Sequence, residues 1–361
     1  MNNNIRLVRT IKLPQVIVVC FFLMVGCTDM PVEVTTNPQD SQTKSLLQAI
    51  SIIDAQNVWV SGHRGTYVRT TDGGRTWTTS VMADADTLQF RDLHAFDNNE
   101  VLLMSAGPGK LSQIRKTTDG GQSWKITYLM EDSTGFLNTI EFWDDGQGLA
   151  FGDALDGNLF VLKTSDRGDS WQRIDPGKLP PALGSEGGFA ASGTCIATGP
   201  NGKAWIGTGA GERPRVIYTS DYGNSWEDIS TPIVSGEAAG IASISFWDEE
   251  NGFIAGGNLA APDEYTRNVA FTLNGGSIWS LAEQPIMKGA IYGTGLVTHR
   301  DERFVFISGP KGINYSADYG STWNALSTEN YWAIDFVDNG DARAAGWAVG
   351  TEGKVLQIVL K

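Results

Sequence analysis

The chain has 361 residues, of which 41% are hydrophobic and 19% charged, and that balance excludes a disordered polymer. Its 43 glycines and 12 tryptophans suit tight turns between stacked β surfaces and argue against a helical bundle. A formal charge of −14 makes sequence-independent nucleic-acid binding a poor prospect, so no nucleic-acid partner is expected.

The first segment reads as an address. Arg6, Arg9 and Lys12 precede an apolar run over residues 13–25, broken by Pro14 and Gln15. A run of this length is too short to span a bilayer and reads as a signal peptide. It ends in LMVGC, with Cys27 last. That ending resembles a bacterial lipobox, although Met24 stands where leucine is commonest. The resemblance implies cleavage after residue 26, lipidation of Cys27, and a cell-envelope, extracytoplasmic location, periplasmic or at the cell surface, held by the lipid anchor. An ordinary secretory leader, with Cys27 incidental, is the alternative. Residues 27–45 are then a polar tether that includes a β-prone run at residues 32–35.

From about residue 46 the chain repeats itself. Six eight-residue segments align without gaps: TTDGGRTW at 70–77, TTDGGQSW at 117–124, TSDRGDSW at 164–171, TSDYGNSW at 219–226, TLNGGSIW at 272–279 and SADYGSTW at 316–323. Their acidic positions are Asp72, Asp119, Asp166, Asp221, Asn274 and Asp318, in steps of 47, 47, 55, 53 and 44 residues. A period near fifty marks a repeat architecture. Each segment reads as a hairpin turn: the carboxylate caps backbone N–H groups, the glycine supplies a positive φ, and the tryptophan packs. Trp77, Trp124, Trp171, Trp226, Trp279 and Trp323 are accordingly expected to pack between blades, since a feature that every unit needs is architectural. Asn274 and Ile278 depart from the pattern.

Upstream of each turn come three short apolar strands, such as 50–53, 58–60 and 67–70, or 244–247 and 252–255. Four short strands per unit make one propeller blade. The last unit, residues 332–361, has three strands and no turn motif, so six full blades and one partial blade make seven. The expected fold is all-β, a seven-bladed propeller of four-stranded antiparallel blades over residues 46–361. Residues 32–35 are the candidate for the missing outer strand, which would pair an open edge.

The turns mark the Asp-box, or bacterial neuraminidase, repeat. Together with the upstream G-W/F-x-x-G pattern they resemble the photosystem II assembly and stability-factor propellers and, more loosely, the sortilin-type propellers. That resemblance implies a non-catalytic binding or assembly module for a protein or peptide; a glycan is a further candidate ligand, and a monomer is expected. Variable loops point to the channel face. The long between-blade connection is 175–188, and the extended loops within blades are 207–215, with Glu212, Arg213 and Arg215, and 256–268, with Asp263, Glu264, Tyr265 and Arg267. Candidate binding residues are Arg91, Phe136, Glu186, Phe189, Arg213, Arg215, Tyr292, Tyr331 and Trp332, a mixture of aromatics and charges that suits a polar ligand or a peptide.

The alternative is a glycoside hydrolase, sialidase- or xyloglucanase-like, with Asp153, Glu186 and Glu237 as candidate carboxylates at the channel mouth. No Arg-Ile-Pro motif supports the sialidase variant. An oxidoreductase or lyase is disfavoured, because the chain has no dinucleotide fingerprint and no cysteine or histidine cluster. No cofactor and no metal are expected. Cys195 is the one cysteine beyond residue 27, and His63, His94 and His299 are far apart in sequence.

Overall fold

The six repeated segments are the turns that join the third strand of a blade to its fourth. The computed structural model describes residues 32–261, 263–264, 267–337 and 344–361. The leader, Cys20, Cys27 and Tyr265 lie outside the described residues. Within Glu33–Lys361 the strands fall into seven four-stranded antiparallel sheets.

Strand β1 is Val34–Asp40. Blade one is β2 (Leu47–Ile52), β3 (Val58–Gly62), β4 (Thr66–Thr70) and β5 (Thr78–Val81). Blade two is β6 (Phe90–Ala95), β7 (Val101–Ser105), β8 (Gln113–Thr117) and β9 (Lys125–Leu129). Blade three is β10 (Leu137–Phe142), β11 (Gly148–Leu155), β12 (Asn158–Thr164) and β13 (Gln172–Arg173). Blade four is β14 (Ile196–Gly199), β15 (Lys203–Gly207), β16 (Arg215–Thr219) and β17 (Glu227–Ser230). Blade five is β18 (Ala239–Phe246), β19 (Gly252–Asn258), β20 (Val269–Thr272) and β21 (Ser280–Leu281). Blade six is β22 (Gly293–His299), β23 (Glu302–Gly309), β24 (Gly312–Ser316) and β25 (Asn324–Ser327). Blade seven is β26 (Tyr331–Val337), β27 (Ala344–Gly350) and β28 (Lys354–Leu360), with β1 as its outer strand. The innermost strands β2, β6, β10, β14, β18, β22 and β26 neighbour one another in that order, and β26 returns to β2.

The closing strand is longer than the sequence suggested and lies further along the chain. Val34 pairs with Leu360 and Asp40 with Lys354, so residues 34–40 pair with β28 where 32–35 were expected. Pro38 disguises the strand in the sequence. It is tolerated because β1 is an edge strand, where a missing N–H breaks no ladder on the open side. Gln39 fixes the joint. Its Oε1 accepts from Trp77 Nε1 of blade one at 2.9 Å and from Trp347 Nε1 of blade seven at 3.1 Å.

The turns close by one repeated scheme. Asp72 Oδ1 accepts from the Thr70 hydroxyl at 2.8 Å and the Thr76 N–H at 2.9 Å, and Oδ2 accepts from the Thr76 hydroxyl at 2.6 Å. The same three bonds recur at Asp119, Asp166, Asp221 and Asp318. Asp72, Asp119 and Asp221 are held down to about 2, first by the hydroxyl at the seventh turn position and then by the turn N–H groups. The glycine two residues on takes the left-handed conformation, with φ of 79° at Gly74. In three turns the residue before it is also left-handed without being glycine: Arg167, Tyr222 and Tyr319. Each packs against the neighbouring blade, with the Arg167 guanidinium 3.8 Å over Phe96, Tyr222 on Trp143 and Tyr319 on Trp247. These contacts offset the backbone strain of roughly 1–2 kcal/mol.

The apolar core is distributed between blades. Trp59, Trp205 and Trp347 on second strands are fully buried, and Trp77, Trp279 and Trp323 of the turns are buried beside them. Trp124, Trp171 and Trp226 are half-buried against the same clusters.

Candidate functional site

Five innermost strands carry a bulge near their first residues, where two residues face one on the partner strand. The register shifts between Leu47 and Ala49, Phe90 and Asp92, Leu137 and Thr139, Ile241 and Ser243, and Tyr331 and Ala333. The extra residues are Gln48, Arg91, Asn138, Ala242 and Trp332. A bulge re-aims one side chain away from the strict alternation of the strand. Three of these residues, Arg91, Asn138 and Trp332, line a single cavity of about 330 Å³.

The rest of that cavity comes from loops on the same face of the ring. Phe136, Asp153, Tyr292 and the segment 188–191 form its wall, with Ser185, Ala210 and Leu259 at its rim. Phe136, Phe189, Tyr292, Trp332, Arg91 and Asp153 are therefore brought together as the sequence suggested. Tyr292 and Trp332 meet edge-on, with ring centroids 4.8 Å apart. Gln89 Oε1 accepts from Arg91 Nε at 3.0 Å and from Nη2, and the Ala190 carbonyl accepts from Nη1 at 3.4 Å. Among the described residues no carboxylate forms an ion pair with Arg91. Burial lowers its pKa, yet a guanidinium remains charged at neutral pH. Burial pushes the Asp153 carboxyl up, opposed by the Asn138 amide that donates to Oδ1 at 2.8 Å.

Five candidates stand elsewhere. Glu186 and Arg215 are not wet loop residues. The carboxylate is fully buried, and its Oε1 and Oε2 accept from Arg215 Nε and Nη2 at 2.8 and 2.7 Å. Two fully desolvated charges satisfy each other, so neither reaches a ligand. Tyr331 is buried, because the bulge turns Trp332 into the cavity and leaves its neighbour facing the core. Arg213 pairs with Asp228 at 2.7 Å and Ser230 Oγ at 2.8 Å, beside the outer strand β17. Glu237 is exposed on the turn before β18 and does not line the cavity.

Sequence reasoning missed a plug. The connection between blades three and four runs from residue 174 to 195, past the expected end at 188, and β14 is correspondingly short. Residues 189–191 line the cavity, whereas 192–194 line a second cavity of about 340 Å³ with Ser51, His94, Glu141, Ser245 and Asp335. The segment thus lies between the two mouths of the channel. Hydroxyls pin it in place: Ser192 meets Thr194 at 2.6 Å, Thr194 meets Ser243 at 2.7 Å, and Ser243 meets Thr294 at 2.7 Å. Ile244 N–H donates to the Thr194 carbonyl at 2.8 Å, and the Thr139 hydroxyl to the Gly193 carbonyl at 3.1 Å. Cys195 ends the segment, buried, with its thiol pushed up to about 12 by desolvation and then by Asp92. It is no nucleophile. The signal for the plug was the run of small residues, FAASGTC, after an unusually long connection. Among the described residues no cluster of three or more His, Cys, Asp or Glu could hold a metal ion.

No protein-family model matches the sequence. No curated protein matches it either. Solved structures do. A structure of YCF48 bound to D1 peptide superposes with a TM-score of 0.60 at 19% identity, covering 90% of this chain and 96% of that one. YCF48 from Cyanidioschyzon merolae gives 0.61 at 17% identity, covering 89% and 98%. The WD40 β-propeller domain of Doa1 gives 0.56 at 11% identity, covering 91% and 97%. The chain is a seven-bladed β-propeller that resembles YCF48 in fold.

Proposed function

We infer that this chain is a non-catalytic binding module that takes a polypeptide segment into the cavity lined by Arg91, Asn138 and Trp332. The observation that carries the reading is the shared bulge, which spends the same strand position in three blades on one concave surface. Four aromatic side chains and one arginine that has no carboxylate partner among the described residues surround that surface, a composition common in recognition sites. The YCF48 structure of similar fold was solved with a D1 peptide, which supports a peptide as the occupant.

Glycoside hydrolysis finds less support in this geometry. It needs two carboxyl groups roughly 5–9.5 Å apart across a sugar. The cavity lining supplies one, Asp153, while Glu186 is neutralised inside the protein and Glu237 lies off the site.

The proposal includes an envelope location. The basic leader and the LMVGC ending support lipidation of Cys27 and a disc tethered outside the cytoplasm. Cys27→Ser should release the protein from membranes and abolish palmitate labelling; full retention by the variant, with no label in the parent, contradicts the anchor.

Photo-cross-linking tests the site. With p-benzoylphenylalanine at Phe189, irradiated cells should yield a discrete adduct with a polypeptide, and Arg91→Ala should weaken it. The same pattern from the exposed position Leu111, or aryl-glycoside turnover lost in Asp153→Asn, overturns the reading.

A further inference from the structure

The turn of blade five breaks the rule that the other five obey. At its second position the others carry Thr71, Thr118, Ser165, Ser220 and Ala317, and at the seventh Thr76, Ser123, Ser170, Ser225 and Thr322. Blade five carries Leu273 and Ile278, and neither serves the core, being 55% and 66% exposed. Ile278 forgoes the hydroxyl bond that the other five turns make to the second carboxylate oxygen. Its N–H still donates to Asn274 Oδ1 at 2.9 Å, so the turn keeps its shape. Leu281, 44% exposed on the outer strand β21, lies three residues further along. Single surface apolar residues need no explanation, but several gathered on one turn and its following strand do.

Leu273 and Asn274 also form one wall of a groove of about 690 Å³ between blades four and five. Tyr218 and Ile229 continue the apolar wall, and Glu227, Glu249 and Glu250 stand around it. Lys203 is the cation in the lining, and it is spent on Glu249. The groove therefore carries net negative charge beside exposed apolar side chains. Asn in place of Asp at position 274 makes the turn cheaper to cover, since an amide loses less on desolvation than a carboxylate.

We propose that the rim groove between blades four and five docks a polypeptide segment in which Lys or Arg alternates with aliphatic residues. The aliphatic side chains cover Leu273, Ile278 and Ile229, and the cations meet Glu227 and Glu250 with the Tyr218 ring beside them. This surface is separate from the channel-face cavity.

The test uses the full chain and two fluorescent dodecapeptides, alternating Lys–Val and alternating Glu–Val, read by anisotropy. The Lys–Val peptide should bind about tenfold or more tightly than Glu–Val. Leu273→Thr with Ile278→Thr restores the side chains of the other turns, so the melting temperature should hold. That variant and, separately, Glu250→Lys should each weaken the Lys–Val peptide by about fivefold or more, while Trp332→Ala should leave it unchanged. Equal binding of the two peptides, or an unaltered affinity in the double variant, overturns the proposal. So does a concentration-dependent dimer in sedimentation that the double variant abolishes, which makes a second copy the occupant. Binding to zwitterionic lipid vesicles that depends on Ile278 overturns it as well, in favour of a membrane surface.

Discussion

Glu186 and Arg215 form a two-point ion pair with side chains 0% and 3% exposed, and it ties the long connection before blade four to the start of β16. Arg215 Nη2 also donates to the Pro181 carbonyl at 2.6 Å, and Glu186 Oε2 accepts from the Leu183 N–H at 2.9 Å. The pair thereby fixes the loop carrying Ser185, Gly188 and Phe189 at the cavity. Breaking a buried pair from one side typically costs about 3–5 kcal/mol, and Arg215 would keep only the partly exposed Asp228 carboxylate, 3.2 Å from Nη1. Glu186→Gln should cost that order of stability in urea unfolding, with near-normal spectra in the absence of denaturant. A variant as stable as the parent contradicts the structural role.

Asp335 predicts a pH dependence of stability. Its carboxyl lines the channel mouth and is pushed up to about 7 by desolvation, opposed by the Phe336 N–H that donates at 2.8 Å. Glu141 adds repulsion, and the Ile52 N–H opposes it. The folded state thus binds a proton that the unfolded chain releases near 3.8, so stability falls as pH rises from about 4 to about 7 and then levels. In Asp335→Asn that loss should vanish, making the variant the more stable protein at pH 8. Parallel stability curves for the two proteins over this window refute the assignment.

Gly193 and Gly157 make a matched pair. Both are left-handed, with φ of 73° and 75°. A Cβ at Gly157 meets nothing within 4 Å, whereas one at Gly193 falls 2.1 Å from Asp92 Oδ1 in the plug. Gly157→Ala should cost only the backbone strain of about 1–2 kcal/mol. Gly193→Ala should cost clearly more, because Asp92 is also held by Ile140 N–H and the Thr139 hydroxyl at 2.6 and 2.8 Å. Equal melting temperatures for the two variants contradict the tight passage of the plug.

Trp77→Ala tests the architectural reading of the turns. The ring is buried and its N–H bonds Gln39 of the closing strand. Loss of about 3–5 kcal/mol is expected from the cavity it leaves, with peptide affinity in the channel-face cavity unchanged once folded protein is compared. Full stability with lost binding reverses that reading.

The blades were legible in the sequence because each turn announces itself by local chemistry. Thr70, Asp72, Gly74 and Thr76 satisfy one another within one turn, Trp77 follows them, and the pattern recurs. The closing strand was half legible: the need for an outer strand followed from the partial seventh blade, but Pro38 and the long-range bonds of Gln39 hid its extent. The site was legible in composition and not in detail. A one-residue bulge decides whether Tyr331 or Trp332 faces the cavity, and nothing in a two-residue alternation says where it falls. The Glu186–Arg215 pair spans 29 residues across two loops, a closeness that only the folded ring creates.

The most direct measurement is the affinity of peptides selected on the intact protein, determined by calorimetry for the parent, Arg91→Ala, Trp332→Ala and Glu237→Gln. Removing a central anchor from a recognition surface commonly costs about 2 kcal/mol or more, some thirtyfold in affinity. The account predicts losses of that order in Arg91→Ala and Trp332→Ala, with Glu237→Gln, on its exposed turn, binding like the parent. Selected peptides that bind all four proteins equally would contradict the claim that the bulge-lined cavity is the binding site.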